Sequence, residues 1–108
     1  MLDREFFLGF VKIHILYHAS KCPVSGVEMT EELKRHGYSL GPGTLYPALH
    51  RLEREGYLKL KPEVIGGKVR KYYTITEHGL QVLREASKKI RELVDEVLDE
   101  SDRREHES

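Results

Sequence analysis

The chain has 108 residues, which fits one domain, and its 39% apolar and 33% charged residues supply a core beneath a charged surface, excluding a disordered tail protein. No apolar run approaches the ~18 residues that span a bilayer, no small-residue cleavage site follows the charged start Asp3-Arg4-Glu5, and the single cysteine, Cys22, excludes an intramolecular disulfide framework, so a cytoplasmic protein is expected. Lys plus Arg and Asp plus Glu balance at 18 each, but residues 1–80 hold twelve basic and nine acidic side chains, net +3, while 81–108 hold six and nine, net −3. The absence of Asn and the lone Gln81 follow a thermophile-like bias.

The first helix is expected from Leu2 to about His18. Phe6, Phe10, Ile13 and Tyr17 form one stripe on it, and Phe7, Val11, His14 and His18 a second. A helix apolar on two sides must bury both, one of them against another subunit. Pro23 ends the pattern, and Ser25-Gly26-Val27-Glu28 reads as a capping box opening a short helix that runs through His36 and stops at Gly37. A tight turn leads to a third helix ending at Glu55, with Leu45, Leu49 and Leu52 as its buried stripe. Its start is open. Pro42 as the first residue leaves Pro47 in the interior, Thr44 as N-cap puts Pro47 in the first turn, and a start between the two is expected.

After Gly56 the period changes to two. Tyr57 to Ile65 and Arg70 to Ile75 flank Gly66-Gly67, which predicts a β-hairpin with Lys68, Arg70 and Lys71 near its tip. Thr76 caps a last helix from Glu77 to roughly Glu100, with Leu83, Ile90 and Val97 seven apart and Leu93 between them. The fold class is therefore mainly α with a β-hairpin wing: a winged helix-turn-helix over 1–76, a long C-terminal dimerisation helix over 77–100, and a polar tail, 101–108, expected to fray.

Helix order and basic hairpin together predict DNA binding. With Leu45, Leu49 and Leu52 inward, Gly43, Pro47, His50, Arg51 and Arg54 point outward and Thr44 and Tyr46 flank them. A major-groove reader needs such a helix free of acids at its start, and Ser39 through Leu52 contains none. Lys68, Arg70 and Lys71 on a Gly-Gly tip suit phosphates or a narrow minor groove. The bland alternatives are a solvated helix face and a solubilising hairpin edge.

The run Gly43-Thr44-Leu45-Tyr46-Pro47-Ala48-Leu49-His50-Arg51-Leu52-Glu53-Arg54-Glu55-Gly56-Tyr57-Leu58 resembles the third-helix signature of PadR-type winged-helix transcription regulators. Arg70-Lys71-Tyr72-Tyr73-Thr74-Ile75-Thr76-Glu77-His78-Gly79 is similar to that family's second wing strand and the start of its last helix. The single C-terminal helix resembles the short branch of the family. The resemblance spans roughly Leu2 to Glu100 and implies a homodimeric repressor that binds a palindromic operator in double-stranded DNA, often released by a small-molecule effector. It also implies that Ser39, Gly43, Thr44, Tyr46, Pro47, His50, Arg51 and Arg54 belong to the DNA-contacting surface, with Lys68, Arg70 and Lys71 as wing contacts.

A helix over 77–100 would span about 36 Å, far longer than a domain whose radius of gyration is about 13 Å, so its far half must pack on a second copy. Phe6, Phe7, Phe10, Leu83, Ile90, Leu93 and Val97 are the expected dimer contacts. His14, His18 and Cys22 stand four apart, close to metal-ligand spacing, but Pro23 ends the helix there and packing roles are favoured, so no metal or cofactor is expected. No phosphate loop, nucleophile–base constellation or paired carboxylate cleft supports an enzyme. The remaining rival is a winged helix used for protein–protein assembly, and no membrane partner is expected because the C-terminal polar face is acidic.

Overall fold

The structure, a computed structural model, describes residues 3–99. In chain order it contains α1 (Arg4–Lys21), β1 (Val24–Ser25), α2 (Gly26–Arg35), α3 (Pro42–Arg54), β2 (Leu58–Ile65), β3 (Lys68–Ile75) and α4 (Glu77–Leu93), followed by a π-helical turn over Val94–Leu98. The expected helix end at Glu100 and the tail, 101–108, lie outside the described residues. The mainly helical architecture with a wing is therefore the observed one.

Asp3 caps α1 by accepting the Phe6 N–H at 3.0 Å. The helix buries Val11, Ile15, Leu16 and Ala19, while Phe6, Phe10 and Tyr17 stay exposed on its other side. The capping box forms as predicted: the Glu28 N–H donates to Ser25 Oγ at 3.1 Å, and the Ser25 N–H donates to Glu28 Oε1 at 3.0 Å. The same residue does a second job. Val24 and Ser25 pair with Tyr73 and Tyr72, so the wing is a three-stranded antiparallel sheet in the order β1-β3-β2 rather than a bare hairpin. Two residues are too few to show a period of two, which is why the sequence carries no sign of β1.

α3 begins at Pro42 with Gly41 as N-cap, so the expected later start is corrected and Pro47 lies inside the helix. Pro42 loses nothing at the first position, because its missing N–H would be unpaired there anyway. Pro47 removes the bond that residue 47 would donate to the Gly43 carbonyl, and the helix continues because Leu45, Ala48, Leu49 and Leu52 are buried against the core. β2 and β3 run in register from Leu58↔Ile75 to Ile65↔Lys68, so β3 starts two residues before the predicted Arg70. Gly66 (φ 57°) and Gly67 (φ 78°) form the two-residue turn that needs positive φ at both positions. Pro62 is tolerated because β2 is an edge strand.

Thr76 closes the sheet and opens α4. Its hydroxyl donates to the Gly56 carbonyl at 2.6 Å and accepts the Gly79 N–H at 3.0 Å. The predicted single α-helix is corrected at Val94, where the wider π turn, bonded i→i+5, advances less angle per residue and so shifts a seven-residue seam out of register. Ile90, before the turn, and Leu93, Val94, Val97 and Leu98 at and within it are all exposed. The chain is elongated, with extents of 63 × 28 × 21 Å and a radius of gyration of 16.5 Å.

One further cluster joins α1 to the end of α2. His14, on the half-buried face of α1, lies 4.8 Å from His36 and 5.1 Å from Tyr38, ring centroid to ring centroid, and His18 lies 5.4 Å from His36. Burial holds the pKa of His14 below the ordinary imidazole value, helped by His36 and His18; burial also lowers His18, with Glu32 opposing and His36 assisting. Since the folded pKa values lie below the unfolded ones, this contribution to stability is complete above about pH 6.5 and is lost as pH falls through the depressed folded values. We expect the urea midpoint, measured in EDTA, to fall between about pH 7 and 5, and to fall less in a His14→Gln/His18→Gln variant. Parallel pH profiles for the two proteins would contradict this.

Candidate nucleic-acid interface

Burial of Leu45, Ala48, Leu49 and Leu52 fixes the rotation of α3. Gly43, Pro47, His50, Arg51 and Arg54 are consequently exposed, and Thr44 and Tyr46 are half-buried at the flanks. Ser39 is exposed in the turn that leads into the helix. The helix presents no acidic residue in its first turn and no side chain caps its start. Pro42 has no N–H and the Thr44 N–H donates to the Gly41 carbonyl at 3.0 Å, which leaves the N–H of the exposed Gly43 without a backbone partner. Such a surface can offer donors to phosphate oxygens and side chains to base edges.

Tyr46 is not free on this face. A Cβ added to Gly26 would lie 2.6 Å from Tyr46 Oη, so the ring occupies the space that the absent side chain leaves at the start of α2. From there Tyr46 and His50 (ring centroids 6.4 Å apart) face the wing. Together with Ser25, Val27, Arg70, Lys71 and Tyr73 they line an open groove of about 520 Å³. Helix residues and wing residues singled out in the sequence thus converge on one concavity.

The wing cations do not share one face. Lys71 lies on the same side of β3 as the buried Tyr73, whereas Lys68 and Arg70 lie on the other. Glu63 stands opposite Arg70 in register, and Lys68 sits beside the Gly-Gly turn. The tip is also apolar: Val64 and Val69 pair across it and both are exposed.

Arg51 is engaged within the chain, its Nε donating to Glu55 Oε1 at 3.0 Å. An exposed i,i+4 pair of this kind contributes about 0.3–0.5 kcal/mol, which a phosphate can displace. Beside it lie two cations that the sequence reading did not single out. Arg4 and Lys12 of α1 line a small groove with Gly43, Thr44, Pro47 and Arg51. Their spacing of eight on one helix face was the available signal, hidden because only the packing of α1 beside α3 shows which way that face points.

The seven expected dimer contacts divide. Phe7 packs edge-on against Tyr38 (centroids 5.0 Å), and both it and Leu83 lie against the chain's own core. Phe6, Phe10, Ile90, Leu93 and Val97 remain exposed. Phe6 and Phe10 line a shallow groove of about 500 Å³ with Glu5, Gly9 and Ile13. Of the three residues with metal-like spacing, His14 and His18 come together, but Cys22 is the extended, exposed C-cap of α1 and does not join them; His36 stands in its place.

Comparison with known proteins agrees with this geometry. Residues 15–85 match the model of the transcriptional regulator PadR-like family. The chain is 46% identical over 95 residues to the transcriptional regulator Rv3488 of Mycobacterium tuberculosis, covering 88% of this chain and 89% of that one. Among solved structures it is similar to a PadR family transcriptional regulator from Eggerthella lenta (35% identity, TM-score 0.76, 88% of this chain and 84% of that one). It is also similar to a PadR-like transcriptional regulator from Bacillus cereus (30% identity, TM-score 0.81, 88% and 94%). These relatives are regulators of transcription and not enzymes. No helix among the described residues is long and apolar enough to cross a membrane. With a family match over most of the chain and a winged-helix architecture shared with those structures, this chain belongs to the PadR-like family of transcriptional regulators.

Proposed function

We propose that this chain is a homodimeric, cytoplasmic repressor that binds a palindromic operator in double-stranded DNA. The observation that carries the reading is the groove in which Tyr46 and His50 of α3 meet Arg70 and Lys71 of β3. In this account α3 enters the major groove, with Gly43, Thr44, Tyr46, Pro47, His50 and Arg54 facing bases and Ser39 and Arg51 facing backbone. Lys68, Arg70 and Lys71 hold flanking phosphates, and Arg4 and Lys12 extend the same basic surface. A protein-assembly role is the second reading, favoured by the exposed apolar tip residues Val64, Ile65 and Val69.

The dimer of this proposal buries the exposed residues Phe6, Phe10, Ile90, Leu93 and Val97, whose exposure in a lone chain would leave a large apolar surface. A two-fold pair then offers two recognition helices to two half-sites. A small apolar effector has a place to act in the groove around Phe6 and Phe10, because that groove lies within the proposed dimer face. Release would require that it bind the DNA-free arrangement more tightly.

Two experiments test these points. Reversal of the wing charges in Arg70→Glu/Lys71→Glu should weaken duplex binding by at least about tenfold and make the dependence of log K on log salt shallower by about 2, with the fold intact by circular dichroism. Unchanged duplex affinity would favour the protein-assembly reading. For the dimer, Ile90→Asp places a charge in an apolar interface and should give monomers at micromolar concentration by sedimentation. Because Ile90 is exposed in the single chain, the variant should still fold. A variant that remains dimeric would remove α4 from the interface.

A further inference from the structure

The imidazoles between α1 and α2 are arranged for more than packing. His14 and His18 are one helical turn apart on α1, and His36 is the C-cap of α2, so three imidazoles from two helices face one point. One ring nitrogen from each lies within 4.8 Å of the other two. A tetrahedral ion with metal–nitrogen bonds of about 2.0–2.1 Å holds its ligands roughly 3.4 Å apart, so rotamer adjustment of about an ångström and a half closes the site. His36 is exposed and free to make that adjustment.

A second observation points the same way. His18 Nε2 is buried and has no hydrogen-bond partner among the described residues. A buried ring nitrogen left unpaired costs free energy, and ligation of a cation satisfies it. Glu32, whose Oε1 accepts from Arg35 Nη1 at 3.0 Å, acts on His18 as a negative group, which favours a cation there.

We propose that His14, His18 and His36 bind a divalent transition-metal ion of the borderline class that prefers imidazole, with Zn²⁺ and Co²⁺ as representatives. Magnesium and calcium, which take oxygen ligands, are the wrong chemistry for three nitrogens. Three protein ligands leave a further coordination position for water. The ion would fasten α1 to the end of α2, directly before the turn over 37–41 that leads into α3. The site does not depend on the proposed operator-binding function.

The test uses the full chain, stripped with EDTA and titrated with Co²⁺, whose visible absorption reports coordination by nitrogen. We expect one equivalent bound per chain, with bands of a four- or five-coordinate ion that Zn²⁺ displaces. His36→Gln should weaken binding by at least about tenfold. Cys22→Ser and His78→Gln should leave it unchanged. Zn²⁺ at about a hundred times its Kd should raise the Tm by on the order of 10 °C in the unaltered chain and not in His36→Gln, a readout that also shows the variant is folded. Absence of Co²⁺ bands up to millimolar metal, or binding lost in Cys22→Ser but kept in His36→Gln, would overturn the proposal.

Discussion

The pairing of Val24 and Ser25 with Tyr73 and Tyr72 is the contact on which the arrangement of the rest depends. Ser25 belongs to a strand through its backbone and to a helix through its hydroxyl, which caps α2. An N-cap of this kind contributes about 1 kcal/mol, and two strand residues contribute little more, yet together they leave α2 only one position relative to the sheet. Tyr73, buried and paired with both Val24 and Leu60, carries that constraint across to β2. The wing is thereby fixed to the start of α2, where Gly26 makes room for the Tyr46 ring. The groove shared by α3 and β3 follows from these contacts rather than from any property of α3 alone.

Most of the fold was legible from local patterns. The capping box at Ser25, the Leu45-Leu49-Leu52 stripe and the Gly66-Gly67 turn each state their own structure, because each is a contact between residues close in the chain. What was not legible depends on distance in sequence. β1 has two residues and exists only because β3, some fifty residues later, offers it an edge. Pro47 is carried inside α3 because burial of the surrounding leucines outweighs one lost hydrogen bond, a balance that local preference does not express. The π turn at Val94 had no sequence marker, and nothing in the packing around it explains it.

The candidate site shows the same division. Periodicity assigned an outward side to Gly43, Pro47, His50, Arg51 and Arg54, and each is exposed in the structure. Periodicity could not show that Lys71 lies on the side of β3 opposite Lys68 and Arg70, or that Arg4 and Lys12 stand beside α3, since both follow from how elements pack. Likewise, the spacing of His14, His18 and Cys22 suggested three groups on one helix, while the structure replaces the cysteine with His36 from another. Charge follows the same geometry: Glu77, Glu85 and Glu92 lie on α4, and none of them lines the groove that holds Arg70 and Lys71.

The central claim is that two copies of this chain read a symmetric DNA site through α3 and the wing. Selection of bound fragments from sheared source genomic DNA by the purified protein, at moderate salt, tests it most directly. The account predicts enrichment of a two-fold symmetric sequence whose half-sites are spaced by about one helical turn, 10–10.5 base pairs centre to centre. Retention of no duplex, or uniform retention with no enriched sequence, would contradict it.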